Sequence, residues 1–234
     1  MTPPAAAANP FSGVRVWVFD AFGTLLDVGD LVAAARPRLG DRAGALGELV
    51  RRKQLEYSWL RSLMGRHADF LQLTADALDY ALEAFGCADD PALRAALLEA
   101  WRHPRPYPDA VALLGRLRAA GRATAILSNG PPAMLTGAIA SAGLGDSLDA
   151  VLSVESVGRY KPHPDVYALA PAHFGLAPAA IGFVSGNGWD AAGAAAFGFR
   201  VAWVNRAGAP RERLPAGPAA TVASLAEIAT LAGV

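Results

Sequence analysis

The stretch VRVWVFDAFGTLLDV (14–28) decides how the rest of the chain is read. Its first six residues, Arg15 apart, are apolar, and they break at Asp20 and the turn Ala21-Phe22-Gly23-Thr24. A short β-branched and aromatic run of this kind predicts a buried strand over Val14–Phe19 that delivers Asp20 at its C-terminal end. Open α/β sheets bind ligands at that end of their strands, which makes Asp20 a candidate functional carboxylate by position alone.

The next stretch, 28–102, offers no good strand. Leu46, Leu49, Val50, Lys53, Leu55, Tyr57 and Leu60 fit a long amphipathic helix, and further helices are expected over Asp69–Phe85 and Pro91–Trp101. From Asp109 the pattern alternates. Helices at Asp109–Ala120, Pro132–Ala142, Pro164–Phe174 and Trp189–Phe197 interleave with strands at Ala123–Leu127, Ala150–Ser153, Ile181–Val184 and Val201–Val204. Such alternation argues for βαβ units and a parallel sheet. The fold class expected is therefore α/β, a Rossmann-like parallel-sheet core (13–27 and 103–234) with a helical cap (28–102) inserted after the first strand. Ala207–Ala220, rich in proline, glycine and alanine, reads as a surface loop before a last short strand and helix. Residues 1–12 read as a disordered tail, without the basic start and long apolar segment of a signal peptide.

Composition narrows the function classes. The 234 residues are 53% hydrophobic and 18% charged, with a formal net charge of zero. No apolar run approaches the ~20 residues of a membrane helix, and no block of Lys or Arg is present to follow a phosphate backbone. Neither a membrane nor a nucleic acid is the expected partner; a small molecule is. Cys87, the only cysteine, excludes an internal disulfide and a multi-cysteine metal site, fits a reducing cytoplasm, and reads as a small apolar residue at a helix end. His67, His103, His163 and His173 lack metal-ligand spacing and read as structural or surface residues. No metal and no cofactor is expected.

Four polar clusters follow predicted strands: Asp20–Thr24, Ser128-Asn129-Gly130, Lys161-Pro162 and Ser185-Gly186-Asn187-Gly188-Trp189-Asp190. Strand ends on one side of a parallel sheet converge, so these distant segments can meet in one cleft.

In that order the clusters resemble the haloacid dehalogenase superfamily, and within it the L-2-haloacid dehalogenases. The segments carrying the resemblance are FDAFGTLLDV (19–28), RRKQLEYSWLRSLMGRHADF (51–70), LSNGPPAML (127–135), SVESVGRYKPHPDVYALA (153–170) and FVSGNGWDAAGAAAFGFRVAWVNR (183–206). The resemblance implies that Asp20 attacks C2 of a 2-haloalkanoate to form an ester, which water then hydrolyses, releasing halide and a 2-hydroxy acid. It further implies that Lys161 keeps Asp20 ionised and that Asn187 and Asp190 position Lys161 and the water. Thr24, Tyr167 and Ser185 would line the nucleophile. Ser128 and the amides of the turn opened by Ala21 would take the substrate carboxylate, Arg51 and Asn129 the halide, and Leu55, Phe70 and Trp189 the apolar wall. It also implies a homodimer, with the apolar helical face Ala68–Phe85 as candidate interface.

Superfamily phosphatases carry a second Asp two residues after the nucleophile; here Phe22 stands there and transfers no proton, a step worth about 10²–10⁴-fold. Ala21-Phe22 also replaces a larger residue followed by Tyr, which removes a hydroxyl from the pocket. Gly186 and Gly188 replace small residues other than glycine, a change that favours mobility or close backbone approach. The alternatives are a magnesium-dependent phosphatase of the same superfamily and a non-catalytic ligand-binding protein on the same fold.

Overall fold

The computed structural model of the protein describes residues 9–29 and 31–234. Its elements run β1 (Val16–Phe19), α1 (Arg36–Leu39), α2 (Arg42–Met64), α3 (Phe70–Ala84), α4 (Pro91–Ala100), α5 (Pro108–Ala119), β2 (Ala123–Ser128), α6 (Pro132–Ser141), β3 (Ala150–Ser153), α7 (Pro164–Tyr167), α8 (Leu169–Phe174), β4 (Ile181–Ser185), α9 (Gly188–Phe197), β5 (Arg200–Val204), β6 (Ala220–Val222) and α10 (Ala226–Ala232). The six strands form one sheet in the order β3-β2-β1-β4-β5-β6, every pairing parallel. Val16 of β1 faces Ala123 on one side and Ile181 on the other. The strand order reverses beside β1, and at such a switch point the loops after the strands splay apart to leave a crevice.

The strand sequences follow from this topology. β1 and β4 are buried at every residue, because helices cover both faces of a parallel sheet and leave no solvent side to demand alternation. At the edges β3 is only partly buried and β6 has three residues, which limits the exposed pairing edge.

The α/β class and the helical insertion after the first strand are both as expected. The chain leaves the sheet after Leu26 and returns at Arg105, where Asp27 N–H donates to Arg105 O (2.7 Å) and Tyr107 N–H to Leu25 O (2.9 Å). Between these points α2 and α3 form an antiparallel pair with local stop and start signals. Gly65 ends α2 in the left-handed region (φ 64°), a conformation that costs glycine nothing. Asp69 caps α3 and Asp90 caps α4 by accepting from Gln72 N–H and Leu93 N–H.

Three expectations need correction. The tail expected over 1–12 is shorter within the described residues: Phe11 is buried with its ring 5.3 Å from that of Trp17, and Asn9 donates to Leu231 O. The first eight residues lie outside those described. The single helix expected over Pro164–Phe174 divides into α7 and α8, since Pro171 has no N–H to give the Tyr167 carbonyl. The apolar face of α3 is not an outer surface either. Leu73, Ala77, Leu78, Ala81 and Leu82 are buried against the rest of the fold, and α3 packs along α2, where Gln54 donates to Thr74 (2.9 Å). The large apolar side chains left exposed here are Leu60, Leu63 and Met64 of α2 and Tyr80 of α3.

Candidate active site

Asp20 stands immediately beyond β1 at the switch point. Its Oδ1 accepts from Lys161 Nζ (3.0 Å), and its Oδ2 from Thr24 Oγ1 (2.8 Å) and Asn187 Nδ2 (3.0 Å). It is 8% exposed. Three donors on one nearly buried carboxylate fix its orientation.

Lys161 arrives from the loop between β3 and α7. Its backbone N–H donates to Asn129 Oδ1 (3.1 Å), and the neighbouring Tyr160 donates its N–H to Ser62 of α2 and its hydroxyl to Ala68 O. The ammonium bridges two carboxylates, Asp20 and Asp190, at 3.0 Å each. Burial by itself would push the Lys161 pKa down, but the charges of Asp190 and Asp20 outweigh it and hold the ammonium above its ordinary value. Asp190, on the first turn of α9, is wholly buried. Burial pushes its carboxyl above the usual carboxylate range, Asp20 adds to that, and the charge of Lys161 only partly offsets it. One cation shared by two buried acids leaves the second acid under-compensated.

Behind this cluster, Tyr167 donates to Asp190 Oδ1 (2.7 Å), and burial drives its own ionisation far above the ordinary phenol value. Gly193, one turn beyond Asp190, makes this contact sterically possible: a Cβ there would lie 2.6 Å from the Tyr167 hydroxyl and 2.7 Å from Pro162 Cβ. Gly186 acts similarly, since a Cβ would strike Gly23 O, and its N–H donates to Thr24 Oγ1 (2.8 Å). The glycine at 186 therefore serves close backbone approach. Gly188 sits more loosely, with a Cβ reaching 3.0 Å from Glu212.

A small cavity opens over Asp20, walled by Phe22, Arg51, Leu55, Phe70, Ser128, Asn129, Asn187 and Trp189. The side chains expected to take the halide and the carboxylate and to form the wall, Arg51, Asn129, Ser128, Leu55, Phe70 and Trp189, thus meet there. Arg51 reaches over from α2, its Nη2 3.4 Å from Asn187 Oδ1. Burial lowers the Arg51 pKa against the opposing pull of Asp20 and Asp190, yet a guanidinium stays charged. Trp189 is held edge-on by Trp59 at 5.4 Å, and Phe22 rests 6.0 Å from Trp101.

Three sequence-selected residues stand elsewhere. Tyr167 is a layer back, touching Asp190 and not the cavity wall. Ser185 is buried and accepts from Asn187 N–H (3.1 Å), so it shapes the loop. Ala21 is buried in the turn, where its carbonyl accepts from Thr24, Leu25 and Leu26 N–H. Trp59 and Gly193 went unselected. Trp59 had a signal, since 51, 55 and 59 recur at helical spacing on one face; a glycine inside a helix names no partner. Cys87 is buried at the end of α3, as expected. Of the histidines, His67 meets Glu155 (3.0 Å), His103 meets Glu99 (3.1 Å), His163 accepts from Asp165 N–H and His173 packs on Phe174.

A parallel α/β core with a carboxylate–ammonium–carboxylate cluster beyond its central strand, roofed by a helical insertion, defines the class: the chain belongs to the haloacid dehalogenase-like hydrolases, whose family model matches residues 14–198. Within that family it is 47% identical over 218 residues to (S)-2-haloacid dehalogenase 1 of Pseudomonas sp. (strain CBS-3), covering 93% of this chain and 96% of that one. Its structure resembles the L-2-haloacid dehalogenase from Xanthobacter autotrophicus with chloropropionic acid covalently bound, at a TM-score of 0.86 and 40% identity over 94% of this chain and 98% of that one. A dehalogenase with intermediate complex superposes at a TM-score of 0.91, with 42% identity over 94% and 97% of the two chains. The resemblance read from the motifs is borne out.

Proposed function

We propose that the protein hydrolyses short-chain (S)-2-haloalkanoic acids to (R)-2-hydroxyalkanoic acids and halide, through an ester on Asp20 and without a metal. The observation that carries this reading is the surroundings of Asp20. Its positive partner is the Lys161 ammonium, shared with Asp190 at 3.0 Å, and two residues on, where a phosphatase needs its acid, stands the phenyl ring of Phe22. Halide leaves without a proton, so the bond-breaking step at C2 needs no acid at that position.

In the first step one Asp20 oxygen forms a bond to C2 as the carbon–halogen bond breaks on the opposite side, inverting C2; the halide departs with the bonding pair. Arg51 and Asn129 face that departure in the cavity wall. Ser128 and the turn after Asp20 hold the substrate carboxylate. The N–H groups of Gly23, Thr24, Leu25 and Leu26 are spent within that turn, which supports the amides of Ala21 and Phe22 in this role. In the second step water attacks the Asp20 carbonyl carbon. The donors already around the carboxylate, Thr24, Asn187 and Lys161, receive the developing oxyanion. Asp190 takes the proton of the water and returns it to the departing 2-hydroxy oxygen as the tetrahedral intermediate collapses and its acyl–oxygen bond breaks, which restores the Asp20 carboxylate; a carboxylate with a raised pKa is better suited to this than an ordinary one.

The segment 28–102 acts as a cap domain, since Arg51, Leu55 and Phe70 close the site from above. The protein works as a homodimer in the cytoplasm, joined through the exposed Leu60, Leu63, Met64 and Tyr80. Among the described residues no helix is long and apolar enough to cross a membrane. Chloride release from (S)- and (R)-2-chloropropionate, with EDTA present, tests the reaction. Release from the S enantiomer alone, unaffected by chelator, is expected; release from neither would refute it.

A further inference from the structure

A second cavity, of about 640 Å³, lies under the start of α2 against Leu78, Leu97 and Trp101. Arg51 and Leu55 belong to its wall and to the wall of the catalytic cavity, so these two side chains alone are common to both. The catalytic cavity measures about 10 Å³, the room of a single water. Even the acid end must spread the walls of so small a space, and for a carbon chain attached to C2 the neighbouring hollow is the larger space adjoining it.

The sequence accounts for the hollow. Positions 44, 47, 51 and 55 recur at helical spacing along one stripe of α2, and two of the four are glycine. A Cβ at Gly44 would meet no atom within 4 Å, and at Gly47 it would crowd the Val32 side chain, nearest at 2.9 Å. Glycine inside a helix is destabilising relative to alanine; Gly47 makes room for Val32, while at Gly44 no neighbour requires it and the helix gives up stability beside the hollow. The partition is also movable. Arg51 is tied to Asn187 by one contact of 3.4 Å, at the weak end for a hydrogen bond, and a swing of its head joins the two spaces.

We propose that this cavity is an alkyl subsite that takes the chain of 2-haloalkanoic acids longer than propionate, passing between Arg51 and Leu55. The proposal rests on the dehalogenase reading, which sets the acid end over Asp20. Each buried methylene adds about fourfold to affinity.

The test is calorimetric binding of propionate and hexanoate, unreactive analogues, to wild type and Gly44→Leu, which fills the hollow from a sterically open position. Wild type should bind hexanoate at least ~10-fold more tightly than propionate, three methylenes being worth more than that when fully buried. In Gly44→Leu the preference should fall below about twofold, while its melting temperature rises, since leucine is the better helix former. Equal binding of the two acids by wild type, or a preference that survives in Gly44→Leu, overturns the subsite. Chloride release from (S)-2-chloropropionate by both proteins is measured alongside. Its absence from wild type refutes the dehalogenase reading while the binding ratio still reports on the cavity, and its loss only in Gly44→Leu places the hollow in the chemistry itself and overturns a subsite for the chain alone.

Discussion

Lys161 is 1% exposed and touches two carboxylates, and its removal would leave both buried without their shared cation. Breaking a buried pair in this way costs about 3–5 kcal/mol. Lys161→Ala should therefore lose activity and also melt roughly 6–20 °C lower, at ~2–4 °C per kcal/mol for a chain of this size; unchanged melting would show that the cluster is not electrostatically closed. Tyr167 predicts a subtler effect. Its hydroxyl donates to the charged form of Asp190, so Tyr167→Phe removes a stabiliser of that form and moves the Asp190 pKa further up. The acid limb of kcat against pH should shift to higher pH, with the plateau little changed. A limb that stays in place would remove Asp190 from the proton-accepting role. At this scale the sequence made Asp20, Lys161, Asn187 and Asp190 legible because each follows a strand at the converging end of the sheet. It did not show that Tyr167 and Ser185 stand a layer behind the cavity, because adjacency along the chain carries no information on depth.

At the scale of elements, α9 illustrates what single side chains cannot. Alanine favours a helix over glycine, yet Gly193→Ala should destabilise the protein by about 1–3 kcal/mol, the cost of forcing a group into a filled space. The new Cβ meets Tyr167 and Pro162 within 2.7 Å, and the acid limb of kcat should move to higher pH, as in Tyr167→Phe, when Tyr167 is pushed off Asp190. Thermal melts and kinetics of this one variant check both, and a stabilised Gly193→Ala would contradict the packing. The strands were legible because buried parallel strands read as short apolar runs, and the helices of the insertion because their apolar residues recur at helical spacing. The division of α7 from α8 was present in the sequence as Pro171. The long apolar pattern around it hid the break.

At the scale of the whole molecule, the order of elements implied the parallel sheet and the helical insertion, since crossover connections leave few other arrangements. The outer surface was not legible. The apolar stripe of α3 satisfies the same periodicity whether it packs on α2 or on another subunit, and only the fold shows that it is spent internally. What remains outside is Leu63 at 83% exposure with Met64 at 63%. Leu63→Glu should convert the proposed dimer to a monomer in sedimentation, with kcat for haloacids retained; a wild type that already sediments as a monomer, or an unchanged coefficient in the variant, would contradict a contact through this patch.

The covalent role of Asp20 is the centre of the account, and one turnover in ¹⁸O-water tests it most directly. With enzyme in excess over (S)-2-chloropropionate, the account predicts unlabelled lactate and a label in the peptide bearing Asp20, because water attacks the carboxyl carbon and not C2. Labelled lactate from the first turnover, with Asp20 unlabelled, would contradict it and make Asp20 a base for direct attack by water.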